Sequence, residues 1–116
     1  MKMMHITIHT AKLKESVEFY CSILNFSIQE SFQAAGGKSI TFLKSEDSDV
    51  RIELIADEKQ AYNGAGLSIG FHAEDIDETY EALKQKGLQP SAIISPNPHT
   101  RFFFIEDPNG VSIQII

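Results

Sequence analysis

The chain has 116 residues, enough to bury one hydrophobic core and too few for two ordinary independent domains. With 42% hydrophobic and 22% charged residues it has a globular composition, which excludes disordered, collagenous and membrane-embedded classes. Sixteen Asp and Glu against ten Lys and Arg give a formal charge of -6, so no basic surface is available for phosphates, and neither nucleic acid nor an anionic membrane is an expected partner.

Met4-His5-Ile6-Thr7-Ile8-His9 alternates as a strand does, placing His5, Thr7 and His9 on one face and Ile6 and Ile8 on the other. From Leu13 the period changes: Leu13, Val17, Tyr20, Cys21 and Leu24 form one stripe of a helix over about 12–24. Asn25 follows at a position that favours a left-handed cap, and a strand pattern resumes over 26–32. Gly36-Gly37 marks a turn, and residues 39–44 and 50–56 are two further strands separated by an acidic, solvated loop over 45–49.

After a polar stretch punctuated by Gly64-Ala65-Gly66, the same order of elements begins again. A strand over 67–72 leads to a helix over 75–86, with Asp75 and Glu78 at capping-box spacing and Gly87 as its stop. Strands follow over 88–95, 101–105 and 111–116, with Pro96-Asn97-Pro98 and Asp107-Pro108-Asn109-Gly110 as turns between them. The one cysteine, Cys21, closes no intrachain disulfide and lies on the apolar helix stripe, where a buried inert thiol is expected. With no signal-peptide apolar core at the start, the expected location is the cytoplasm.

Sliding the second half over the first gives a register of about 61 to 63 residues. Leu13 to Glu18 then lies over Ile76 to Glu81, and Val50 to Ile55 over Val111 to Ile116. The expectation is an α+β fold: a single domain over 1–116 made of two βαβββ modules, about 1–60 and 65–116, with sheets facing each other across a cleft. In the last strand of each module, Arg51, Glu53 and Ile55, and likewise Ser112, Gln114 and Ile116, share one parity. The more apolar parity belongs against the helix, so Glu53 and Gln114 belong on the cleft side.

Ser16-x-x-Phe19-Tyr20-x-x-x-Leu24-Asn25-Phe26, and Arg101 to Gly110 running into the last strand, complete this pattern. Together with the repeat they resemble the vicinal oxygen chelate superfamily of glyoxalase, bleomycin-resistance and extradiol dioxygenase proteins. The resemblance covers the whole chain, with Asn25 where a glycine is commonest. It implies a cup that chelates a divalent metal or binds a small molecule without one, with metal ligands on the first and fourth strands of each module. His5 and Glu53 match that pattern. In the second module Leu67 stands where a histidine is expected and Gln114 where a glutamate is.

An incomplete metal set of His5, Glu53 and Gln114 follows, to which nickel or zinc would bind weakly. Among the other histidines only His99, in a Pro-flanked loop, is a candidate to complete it. His5 and Glu53 are equally readable as a hydrogen-bonded pair that satisfies two polar groups. The Phe102-Phe103-Phe104 run puts rings on both faces of its strand, and Phe103 is taken with His5, Thr7, Glu53 and Gln114 as ligand-binding. Arg101 is read as a surface ion pair in preference to an anion-binding group.

The function expected is a small-molecule-binding protein of the glyoxalase and bleomycin-resistance type, with no cofactor required. The alternative is a metal-dependent glyoxalase-like lyase or isomerase acting on vicinal oxygens, with Glu53 moving the proton. Family members of this length imply a homodimer.

Overall fold

The computed structural model describes all 116 residues, as two compact units, Met1–Asn63 and Gly64–Ile116. Unit 1 runs β1 (His5–Thr10), α1 (Leu13–Leu24), β2 (Ser27–Gln33), β3 (Ser39–Ser45) and β4 (Ser48–Ala56). Unit 2 repeats the order with β5 (Ser68–Phe71), α2 (Ile76–Gln85), β6 (Ile94–Asn97), β7 (Thr100–Glu106) and β8 (Ser112–Ile115). The sheet orders are β1-β4-β3-β2 and β5-β8-β7-β6. In each unit the first strand lies parallel to the fourth, and the remaining pairs are antiparallel. The fold is α+β.

In unit 1 the helix covers the face that carries Ile8, Leu43, Ile52 and Leu54, all buried, with Phe19 and Tyr20 of α1 packed onto them. The buried stripe of α1 runs through Ser16, Phe19 and Tyr20, so Leu13, Val17 and Cys21 of the expected stripe lie on its half-buried shoulder. Ser16 tolerates burial because its hydroxyl donates to the Lys12 carbonyl at 2.7 Å and lies 3.2 Å from that of Thr10. Asn25 ends the helix at φ 60, ψ 30, the left-handed conformation that asparagine tolerates better than most residues. In unit 2 the α2 cap is Asp75, whose side chain accepts from the Glu78 amide at 3.0 Å. Phe103, Ile105, Val111, Ile113 and Ile115 are the core beneath it, joined by Leu83.

Two expectations need correction. Residues 45–49 form a tight hairpin rather than a loop, since β4 already starts at Ser48 and Ser45 pairs with it. β6 occupies Ile94–Asn97, so Leu88 to Ile93 is irregular and Pro96 lies inside a strand. An edge strand accepts proline because one side of it needs no ladder donor. β6 pairs only at Ile94 with Phe102 and at Asn97 with Thr100. Ser91 extends the same line by accepting the Phe104 amide on its hydroxyl and donating its own amide to the Phe104 carbonyl, both at 2.9 Å.

Candidate functional site

The face of the unit 1 sheet turned away from α1 carries the polar groups. The β1–β4 register sets Thr7 beside Glu53 and His9 beside Ile55, and β3 continues these rows with Phe42 and Ile40. On β2, Glu30 and Phe32 end them. Glu53, with a side chain only 14% exposed, accepts from the Thr7 hydroxyl at 2.5 Å and has His5 Nε2 3.5 Å from the same oxygen, Oε1. The hydroxyl partly compensates its charge.

Next to this group lies a ring cluster. His5 meets Phe42 edge-on at 5.6 Å, Phe32 stacks on Phe42 at 6.3 Å with 19° between the planes, and the Arg51 guanidinium lies 4.3 Å from the centre of the Phe42 ring. Arg51 is held there by a 2.9 Å hydrogen bond to the Gln29 side chain. Aromatic rings, a guanidinium and a carboxylate thus share one sheet face.

At the far end of β1 stands a second polar group, which sequence reasoning missed. Asp57 follows β4, is buried, and accepts from Lys38 Nζ at 2.7 Å and from the amides of Lys59 and Gln60, each at 3.1 Å. The Lys38 bond, then the Gln60 amide, outweigh burial and lower its pKa to about 2. His9 Nδ1 lies 3.4 Å from the same carboxylate and has no hydrogen-bond partner, although it is buried. The usable sequence signal was that His9 shares a face with His5 and Thr7; nothing local ties it to residues 38 and 57.

In unit 2 the ladder sets Gly70 beside Gln114 and Ser68 beside Ser112. Because Thr7 and Glu53 pair in unit 1, Gly70 stands where Thr7 does, and Ser68, not Leu67, stands where His5 does. Leu67 precedes the strand and is exposed. Phe103 also requires correction: it is fully buried against Tyr80 of α2, ring centres 5.1 Å apart, so it is core. Phe102 and Phe104, edge-on at 5.7 Å, take the face shared with Gln114.

Arg101 forms a bidentate pair with Asp77 at 2.8 and 2.9 Å. His99 lies exposed in the β6–β7 turn, its amide donating to the Asn97 side chain. Cys21 is half-buried, and burial raises its pKa, which keeps the thiol protonated.

No three His, Cys, Asp or Glu side chains converge on one point. His5 and Glu53 face each other, while the equivalents in unit 2 are a hydroxyl and a neutral amide.

Paired βαβββ units, each closed by a parallel β1–β4 type ladder and each with a helix-free face, define a glyoxalase-like α+β protein. The chain belongs to the Glyoxalase/Bleomycin resistance protein/Dioxygenase superfamily, whose family model matches residues 2–115. A relative from Synechocystis sp., named "Probable lactoylglutathione lyase", is 30% identical over all of this chain and 95% of its own length. The lactoylglutathione lyase of Neisseria meningitidis serogroup A is 24% identical, over all of this chain and 90% of its own. Among solved structures, the antibiotic binding protein TnmS3 from Streptomyces sp. CB03234 superposes with a TM-score of 0.80 over 99% of this chain and 93% of that one, at 14% identity.

Proposed function

We propose that this protein binds a small organic molecule with a flat aromatic system on the helix-free face of the unit 1 sheet. The observation that carries the reading is the Phe42 cluster, in which His5, Phe32 and Arg51 gather around one ring beside a carboxylate. Phe32 and the apolar floor of Ile40 and Ile55 supply contact area, and His5, Thr7 and Glu53 orient the ligand. Gln114 gives unit 2 a neutral amide at the position equivalent to Glu53. That TnmS3 is an antibiotic binding protein of this fold supports the reading.

Anilinonaphthalene sulfonate tests it. The dye should gain fluorescence on the protein, and Phe32→Ala, which removes an exposed ring with little cost to the fold, should weaken binding several-fold. Equal binding by wild type and variant would overturn the proposal.

A second reading, a metal-dependent lyase or isomerase on vicinal oxygens with Glu53 as the proton carrier, is favoured by the relatives named lactoylglutathione lyase and by the His5–Glu53 pair. Stoichiometric nickel or zinc in protein purified without chelator would select it. We also propose a cytoplasmic homodimer. The exposed apolar side chains of the edge strands, Ile28 on β2 and Ile94 on β6, support self-association. Light scattering at micromolar concentration, read against the 13.0 kDa chain mass, decides that point.

A further inference from the structure

On the same sheet face, about 13 Å along β1 from His5 at the usual strand rise, stands His9 with Asp57 behind it. Asp57 is buried, its carboxylate Oδ1 occupied by two backbone amides and its Oδ2 by Lys38. These donors keep it ionised throughout the neutral range. His9 Nδ1 is buried 3.4 Å from Oδ2 and has no hydrogen-bond partner. A ring nitrogen in that position is attracted to the carboxylate when it carries a proton and repelled when it presents a lone pair. The carboxylate favours the tautomer with the proton on Nδ1, and that tautomer presents Nε2 as an acceptor.

The side chain of His9 is 37% exposed, and across the sheet its row continues through Ile55 and Ile40 to Phe32. The acceptor thus stands at the edge of an apolar floor. We infer that His9, positioned by Asp57, accepts a hydrogen bond from a hydroxyl on the bound aromatic molecule, so that the ligand class is a hydroxylated aromatic such as a phenol or naphthol. This rests on the reading that the unit 1 face binds an aromatic ligand, and it adds what the ligand's edge must carry. A carboxylate or other bare anion lacks the hydrogen that Nε2 requires, and Lys38 is engaged with Asp57 Oδ2 at 2.7 Å.

The probes are 2-naphthol and 2-methylnaphthalene, which differ in one hydroxyl at nearly constant shape. The chain has no tryptophan, so naphthalene emission is read against a low background. The ratio of the two affinities, naphthol over methylnaphthalene, should fall about tenfold in His9→Phe, which keeps the ring and removes the acceptor. An unchanged ratio, with both probes bound, would overturn this inference and leave the aromatic reading standing. Failure of wild type to bind either probe would overturn both.

A second measurement needs no variant. Long-range proton–nitrogen spectra of the wild type should show His9 with a protonated Nδ1 and a bare Nε2, and the Nε2 resonance should move on adding 2-naphthol and not on adding 2-methylnaphthalene. The opposite tautomer, or equal shifts with both probes, would overturn the assignment.

Discussion

The two units share one topology and spend it differently. Where unit 1 pairs Thr7 with Glu53 beneath a histidine, unit 2 pairs Gly70 with Gln114 beside a serine. An alanine-like Cβ at Gly70 would lie 3.7 Å from Gln114 Oε1, ordinary contact, so sterics do not demand the glycine there. The pairs at the end of the first strand differ in the same way. Nδ1 of His9 faces a buried carboxylate without bonding it, whereas Nδ1–H of His72 donates to the Ile116 carbonyl at 3.0 Å. In unit 1 His5, Arg51 and Glu53 lie together on the open face; in unit 2 the middle of that face is Phe102, Phe104 and Gln114, with Glu106 at its edge, and the ion pair lies at the helix start. One backbone thus carries a charged cluster on the open face of its first copy and an aromatic pair beside a neutral amide at the equivalent place in its second.

The largest expected effect separates the two faces of β7. Phe103→Ala removes a fully buried ring from beneath Tyr80 and should cost about 3–5 kcal/mol. Phe104→Ala, on the half-buried face beside Gln114, should cost less than half as much. Urea melts of the two variants measure the difference, and similar losses would show that the strand is not divided into a core face and an open face.

Those two residues also show where the sequence stops being readable. Period-2 alternation made the parity of β4 and β8 plain, because charged or amide side chains alternate there with Val, Ile and Leu. Three consecutive Phe residues carry no such contrast, so the parity of 102–104 depended on its partner strand. Leu67 fails for a related reason. β1 to β5 and α1 to α2 are offset by 63 residues, but β4 to β8 by 61, since the second unit is shorter between its helix and last strand. A single sliding offset lands one residue out, and a one-residue slip exchanges the two faces of a strand. The Asp57 cluster joins residues 9, 38 and 57 through tertiary structure alone, and in the sequence its loop shows only as a polar stretch.

That register can be tested directly. Ser68→His with Gln114→Glu gives unit 2 the imidazole and carboxylate that unit 1 has in His5 and Glu53. Nickel should then raise Tm by a few degrees more than it does in wild type. Leu67→His with Gln114→Glu, one residue out of step, should respond as wild type does. A response from the Leu67 variant and none from the Ser68 variant would reverse the assignment.

A smaller effect distinguishes the units in acid. The folded pKa of Asp57, about 2, lies below its ordinary value of 3.8, so its contribution to stability is whole above about pH 4 and is lost as pH falls toward 2. Lys38→Met removes the main cause of that depression. The carboxyl should titrate closer to the ordinary value, and the loss of stability should begin at higher pH. Carbon-detected titration of the Asp57 carboxyl, with acid unfolding followed in parallel, measures both. An unmoved titration would mean that the Lys59 and Gln60 amides hold the charge alone.

The smallest effect belongs to the ion pair that unit 2 has at its helix start. Asp77 lies in the first turn of α2 and accepts both hydrogen bonds from Arg101; these bonds lower the Asp77 pKa and raise that of Arg101. Both side chains are substantially exposed, at 66% and 44%, so water and salt screen most of the attraction. Asp77 also faces the positive end of the helix, a second interaction that Arg101 does not share. Asp77→Asn should therefore lower Tm more than Arg101→Gln does, and the coupling in a double-mutant cycle should amount to about a degree at low salt and vanish at about 0.5 M salt. Unit 1 has Lys14 at the position of Asp77, a cation where the helix dipole favours an anion. Lys14→Asp should raise Tm slightly through the dipole alone, with no dependence on Arg101. Coupling between Lys14→Asp and Arg101→Gln would show that this term is not confined to one unit.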